Sequence, residues 1–348
     1  MSVEDSISVP GKELSTFEKY LPLWIGICMI LGIVLSLVVP GISEAINSWQ
    51  VAGISVPIGI CLFLMMYPAM LNIQVSELRK LRRNPKPIIL TLVSNWIVAP
   101  VVGFVLAQTF LQGNEQLIVA VILLSSSPCT AMVLVWGYLA EGNQEQNVVN
   151  TTLNTATILV LFAPLVVLFT GISNIPIDRL LLVISVMVFI GIPLVLGVVS
   201  RKAIINWKGD DWFQNKYRPA AGNLALLALL TTLVVLFSLN GMVMLEHPDL
   251  LVLVSIPLLL GFTIVVGFNL LITRLAKLAY REATITVIIG SSSHFEIAIA
   301  TAISIYGVGS IAALGTTMGL FWEVPIMLGL VYLAKYLRKR EFWKGEPM

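Results

Sequence analysis

The sequence predicts an all-α polytopic membrane protein: ten transmembrane helices in two inverted five-helix repeats, with spans 4 and 9 discontinuous and crossing. Three observations carry that prediction: long apolar runs, basic residues confined to one side of them, and matching polar interruptions in the two halves. Charged residues make up 11% of the chain and apolar residues 57%, whereas soluble domains carry about 25% charge. The runs lie at roughly 21–39, 53–72, 87–111, 117–139, 147–170, 179–199, 220–243, 249–273, 283–305 and 309–337, each near the ~20 residues a crossing helix needs. They are continuous rather than alternating, and hydrocarbon admits only helices or closed barrels, so they read as helices.

Of the 21 Lys and Arg residues, all but Arg179 fall into clusters that one membrane face can hold. Lys12 and Lys19 precede the first run, and Arg79, Lys80, Arg82, Arg83 and Lys86 follow the second. Arg201, Lys202, Lys208, Lys216 and Arg218 follow the sixth, Arg274, Lys277 and Arg281 the eighth, and Lys335 to Lys344 the tenth. The positive-inside rule then gives ten crossings with both termini in the cytoplasm; the expected location is a cell (plasma or inner) membrane. Topology accounts for the small basic excess, so nothing in it suggests a nucleic-acid partner, and the partner surface is the lipid bilayer.

The expected organisation is a cytosolic tail (1–20), a first repeat (21–170), a second repeat (179–337) and a basic cytosolic tail (338–348). The first tail carries Glu4, Asp5, Glu13 and Glu18 and no apolar stretch, unlike a signal or transit peptide. Cys28, Cys61 and Cys129 all lie inside apolar runs, so neither a disulfide framework nor a zinc spacing is present, and no cofactor is implied.

The fourth span of each half is interrupted, by Ser125-Ser126-Ser127-Pro128-Cys129-Thr130-Ala131 in the first and Gly290-Ser291-Ser292-Ser293-His294-Phe295-Glu296 in the second. Paired breaks in inverted halves point to a secondary-transporter site near the bilayer midplane. The plainer alternative is that small serines let helices pack closely. Only Glu296 and Glu323 lie well inside predicted spans. An ionised carboxylate there costs about 2.5–3.5 kcal/mol on insertion scales, so such a residue faces protein or water. Glu296, beside the break, is the expected proton carrier. For Glu323, in Trp322-Glu323-Val324-Pro325, a hydrogen bond to backbone freed by the proline competes with a functional role.

Cys28 and Cys61 sit in unbroken runs and read as small hydrophobes. Cys129 follows Pro128, where the start of a second half-helix is expected to favour a thiolate facing the cavity. A soft sulfur selects a soft, thiophilic centre such as a metalloid. One thiol suits a carrier that must release its cargo. Ser127, Thr130, Asn95, Asn154, Ser293, His294 and Glu323 are the expected cavity-lining polar groups, although His294 and the asparagines could equally hold helices together.

At these residues the chain resembles the arsenite-efflux permeases of the arsenical-resistance type, within the bile acid/sodium symporter superfamily. The matching stretches are Lys19-Tyr20-Leu21-Pro22-Leu23-Trp24, Met65-Met66-Tyr67-Pro68, Ser94-Asn95-Trp96, Pro128-Cys129-Thr130-Ala131-Met132-Val133 with Val135-Trp136, Phe295-Glu296-Ile297-Ala298-Ile299-Ala300 and Glu323-Val324-Pro325. The resemblance implies that Cys129 and Glu296 are the essential pair, and that a panel domain flanks a core domain whose fourth and ninth helices cross. Two positions depart from it: His294 stands where many members have Asn, and Thr155 follows Asn154 where many have an acid.

The function expected is export of arsenite, or the equally thiophilic antimonite, in exchange for protons. Cys129 would bind the metalloid transiently and Glu296 would exchange the proton. A sodium-coupled symporter of an organic anion is the alternative transporter, and it would not require Cys129. A hydrolase built on Ser293, His294 and Glu296 is disfavoured, because helical neighbours point in different directions.

Overall fold

The computed structural model describes residues 20–39, 41, 48–51, 54–71, 73, 84–130, 132–246, 248–307 and 309–343. The expected N-terminal tail, the Arg79–Arg83 cluster and the last residues of the basic tail lie outside these. The described chain is helical apart from the two-residue strands β1 (Gln50–Val51) and β2 (Ile54–Ser55), which pair antiparallel.

The helices are α1 (Leu21–Val38), α2 (Val56–Leu71), α3 (Pro85–Phe110), α4 (Glu115–Ser125), α5 (Val133–Leu139) and α6 (Gln144–Ile172). They continue as α7 (Arg179–Lys208), α8 (Arg218–Glu246), α9 (Pro248–Leu275), α10 (Tyr280–Gly290), α11 (Phe295–Tyr306) and α12 (Ile311–Lys339). Each predicted run coincides with one helix or with one of the pairs α4–α5 and α10–α11. Among the described residues, six helices are long and apolar enough to cross a membrane, α8 counted with the helical turns that lead into it.

The broken pairs explain themselves by length. At 1.5 Å per residue, α4 and α10 reach about 16 Å each, half of a hydrocarbon core about 30 Å thick. Asn114 caps α4, accepting the Leu117 N–H, and α4 ends at Ser125, just before the Ser126–Ser127–Pro128 segment.

Three other irregularities have a common cause. The wide turns Ser94–Val98, Met187–Gly191 and Phe213–Tyr217 each run into a proline two residues on, Pro100, Pro193 and Pro219. A proline ring clashes with the carbonyl four residues earlier and offers no N–H, so the preceding turn loosens. The Ala99 N–H accordingly reaches back to the Ser94 carbonyl, and Ile192 and Arg218 do the same to Met187 and Phe213. In α3 the widened turn carries Ser94, Asn95 and Trp96 into the interior.

Packing separates two groups of helices. One holds α1, α2, α7 and α8; the other holds α3 to α6 and α9 to α12, with α4 against α12, α3 against α4 and α9, and α10 against α3. The groups meet where α11 and α6 pack on α7, where α11 packs on α2, where α12 packs on α1 and α8, and where α9 packs on α8.

The segments that the charge pattern assigns to one membrane face gather at one end of the molecule. There Arg338 and Lys335 approach the Glu141 carboxylate at 2.7 and 3.4 Å, the Asn143 N–H donates to the Arg281 carbonyl at 2.9 Å, and Asn84 donates to Glu282. At the opposite end Gln108 meets Ser173, and Gln116 accepts the Ala312 N–H at 3.2 Å.

Candidate functional site

The two breaks lie against each other. Pro128 and Ser293 form an antiparallel bridge, the Cys129 N–H donates to the Ser292 carbonyl at 3.4 Å, and the His294 N–H donates to the Ser127 carbonyl at 2.6 Å. The Ser127 hydroxyl lies 3.3 Å from the His294 carbonyl and also reaches the carbonyls of Leu123 and Leu124. Each break thus satisfies backbone groups the other frees, the requirement for irregular chain at membrane depth.

A ladder of amides braces the first break. Asn154 on α6 donates to the Cys129 backbone carbonyl at 3.1 Å, and Asn95, on the widened turn of α3, donates to the Asn154 side-chain oxygen Oδ1 at 3.2 Å. The second break is held by Glu323 on α12, whose carboxylate accepts the Ser293 N–H at 3.1 Å and the Ser293 hydroxyl at 2.5 Å. Glu323 therefore binds the break rather than backbone freed by Pro325. The neighbouring Trp322 indole donates to Ser255 at 2.8 Å.

Glu296 falls in the first turn of α11, behind His294 at its N-cap. A helix N-terminus favours negative charge, so the carboxylate is placed where the dipole supports it. His294 Nδ1 lies 2.8 Å from Glu296 Oε2, an ion-pair distance without the alignment of a hydrogen bond. Both side chains are buried, as is Cys129, at 0%, 5% and 1% exposure respectively.

The thiol does not sit where the sequence suggests. The helix after the first break starts at Val133, four residues beyond Cys129, so the helix terminus that was to favour a thiolate is not at the sulfur. Pro128 instead bridges to Ser293, and the Cys129 N–H is committed to the Ser292 carbonyl of the second break. The apolar reading of Cys28 and Cys61 places them within α1 and α2.

Behind the crossing lies a cavity of about 70 Å³. Its polar wall is Asn95, Ser125, Ser127 and Ser291 to Ser293, and its apolar wall comes from α3, α4 and α9. Of the expected lining groups, Asn95, Ser127 and Ser293 reach this cavity. Thr130, Asn154, His294 and Glu323 are buried around the crossing without lining it, and so are Cys129 and Glu296.

Sequence reasoning assigned no site role to Ser94 or Asn269. Asn269 on α9 donates to Ser94 at 2.8 Å and to Ser291 at 3.0 Å, and Ser94 donates to the Gly290 carbonyl at 2.8 Å, so both hold the second break. A Cβ at Gly290 would come within 2.8 Å of Asn269 Oδ1, which is why α10 ends there on a glycine. The available signal was an asparagine in the middle of an otherwise apolar run, since intramembrane amides are rarely idle.

Residues 59–247 match the Sodium Bile acid symporter family. An uncharacterized transporter of Synechocystis sp. is 38% identical over 352 residues, covering 96% of this chain and 91% of the relative. The arsenical-resistance proteins Acr3 of Alkaliphilus metalliredigens and Corynebacterium glutamicum are 34% and 32% identical; each covers 94% of this chain, which in turn covers 95% and 91% of them.

Proposed function

We propose that this chain, which belongs to the Sodium Bile acid symporter family of membrane transporters, exports arsenite from the cytoplasm in exchange for protons. The single observation that carries the chemistry is the seating of the thiol-bearing break against the break that leads into Glu296. The near-full-length similarity to two arsenical-resistance proteins supplies the substrate. Antimonite, sharing the thiophilicity of arsenite, belongs to the same proposal.

At neutral pH arsenite is the uncharged trihydroxy acid, so the membrane potential does no work on it and an ion gradient must. In the proposed cycle the Cys129 sulfur forms one As–S bond while an arsenic hydroxyl leaves as water, taking the thiol proton. The reverse reaction with water releases arsenite on the other side and restores the thiol. One sulfur makes this capture weak enough to reverse, where several would chelate.

Cys129 is occluded in this conformation, so capture belongs to a state in which the breaks are open to one face. That is the alternation expected of paired discontinuous helices rocking against a panel. Glu296, at the start of a half-helix and beside His294, is the group proposed to gain and lose the proton between the two access states. The chain is placed in the cell membrane with ten crossings, inverted five-helix repeats and both termini cytoplasmic, which the clustering of Glu141, Arg281, Lys335 and Arg338 at one end supports.

Arsenite flux in inverted vesicles tests the proposal. Accumulation should follow an imposed pH gradient and ignore a sodium gradient. Sodium-driven, proton-indifferent flux would replace it with the symporter reading.

A further inference from the structure

A file of polar side chains runs through the interior of the helix group that contains the breaks, apart from the interface with α7. On α6, Gln146, Asn150 and Asn154 repeat every fourth residue and so share one face, spanning about 12 Å at 1.5 Å per residue. Their exposures are 5%, 1% and 0%. Each is tied across to another helix: Gln146 donates to Thr286 on α10 at 3.1 Å, Asn150 to Thr91 on α3 at 3.2 Å, and Asn154 is reached from Asn95 at 3.2 Å. Asn95 in turn lines the cavity behind the crossing. The outer end of the file lies at the Asn143 cap of α6, whose N–H donates to the Arg281 carbonyl, near the Glu141 end of the molecule.

The side-chain amide oxygens of Gln146 and Asn150, with that of the adjacent Asn147, are buried and have no hydrogen-bond partner among the described residues. The Thr284 hydroxyl on α10 shares that condition. Buried polar atoms in folded proteins are satisfied by protein or by ordered water, and a water needs two to four polar partners. At successive rungs the polar groups on hand are the Gln146 amide with the Thr286 hydroxyl and the Asn150 amide with the Thr91 hydroxyl. Because each amide is also bonded across the bundle, the passage suits molecules of water's size rather than a trihydroxylated metalloid.

We propose that this file is a water-filled route from the Glu141–Arg281 end of the molecule to the cavity behind the helix crossing. Amides and hydroxyls of this kind hold water without titrating, so a proton on the route passes along the water chain and stays on no side chain. Its use as the proton path rests on the antiport reading above. Its hydration does not.

The test introduces single cysteines into the full-length protein with Cys28, Cys61 and Cys129 replaced by Ser, reconstitutes it in vesicles of both orientations, and probes with Ag⁺, a thiol-reactive cation near water in size. Protection from later alkylation in denaturant gives the rate. Gln146→Cys and Asn150→Cys should be modified roughly tenfold or more faster than Ile158→Cys, a buried apolar position on the same helix, since apolar packing excludes a hydrated cation. The faster modification should come from the Glu141 side. Equal rates at Asn150→Cys and Ile158→Cys would overturn the route, as would faster entry from the opposite face.

In the protein that retains Cys129, Asn150→Leu should slow arsenite-linked proton flux several-fold with arsenite affinity unchanged, and Asn150→Ser, which restores a polar rung, should recover it. Wild-type proton flux in Asn150→Leu also overturns the route. If Ag⁺ reaches Asn150→Cys while the wild-type protein moves arsenite without protons, the route stands and the antiport reading falls.

Discussion

The two breaks are built for the same geometric purpose and carry different chemistry. The first leaves seven residues between α4 and α5, bridges to the second at Pro128, and is braced by neutral amides, Asn154 and Asn95. The second leaves four residues between α10 and α11, ends on a histidine cap with Glu296 in the next turn, and is clamped by the Glu323 carboxylate. Soft sulfur thus sits on an irregular segment held by backbone and amide bonds, while His294 and Glu296 sit at the helix start that a macrodipole can steady. The division separates the group that would hold a neutral metalloid from the group that would hold a proton.

The largest effect should come from removing the sulfur. Cys129→Ser keeps size and polarity, so the protein should insert normally while arsenite tolerance in cells falls to that of cells lacking the transporter. Wild-type tolerance at equal membrane abundance would erase the chemical difference between the breaks. Glu296→Gln should come next: arsenite still binds, but the pH gradient no longer drives it in vesicles, whereas Glu296→Asp retains part of the flux because a shortened carboxyl remains.

A smaller loss is expected from the clamp. Glu323→Gln keeps one acceptor oxygen and replaces the other by an amide NH2, so one of the two hydrogen bonds to Ser293 is lost, a class worth about 0.5–1.5 kcal/mol; the melting temperature in detergent should drop and transport should fall by less than in Glu296→Gln. A drop confined to transport, with stability intact, would move Glu323 from positioning to proton handling. Cys28→Ser and Cys61→Ser should be nearly silent in the same tolerance assay; a Cys28 effect as large as that of Cys129 would contradict the apolar role its helix gives it. The topology is checked by cysteines introduced near Asn114 and Glu246, which should react with an impermeant reagent outside intact cells, while one near Asp210 should not.

Much of the fold was legible because hydrocarbon leaves a chain few choices. Runs such as 249–273 are mostly apolar and long enough to span, and α9 occupies Pro248–Leu275. The paired serine triplets located both breaks, since a polar stretch inside an apolar run has nowhere to go but a partner or a cavity. Sequence placed Cys129 at the start of a helix, and this failed because Pro128 reads locally as a helix start; the Ser292 carbonyl across the crossing takes the Cys129 N–H instead. Asn269 was passed over because its partners, Ser94 and Ser291, are remote in sequence or in another element.

By itself the sequence determined the membrane-spanning helices, their common charged face and the two interruptions, because each depends on local composition judged against lipid and water. Only the tertiary structure decided which backbone groups the breaks exchange, that Glu323 clamps Ser293, and that Cys129 and Glu296 are buried beside the cavity rather than lining it. Those depend on contacts between segments more than a hundred residues apart, or on the packing of α12 against the crossing. Such choices are set by three-dimensional complementarity, for which periodicity and composition leave no trace along the chain.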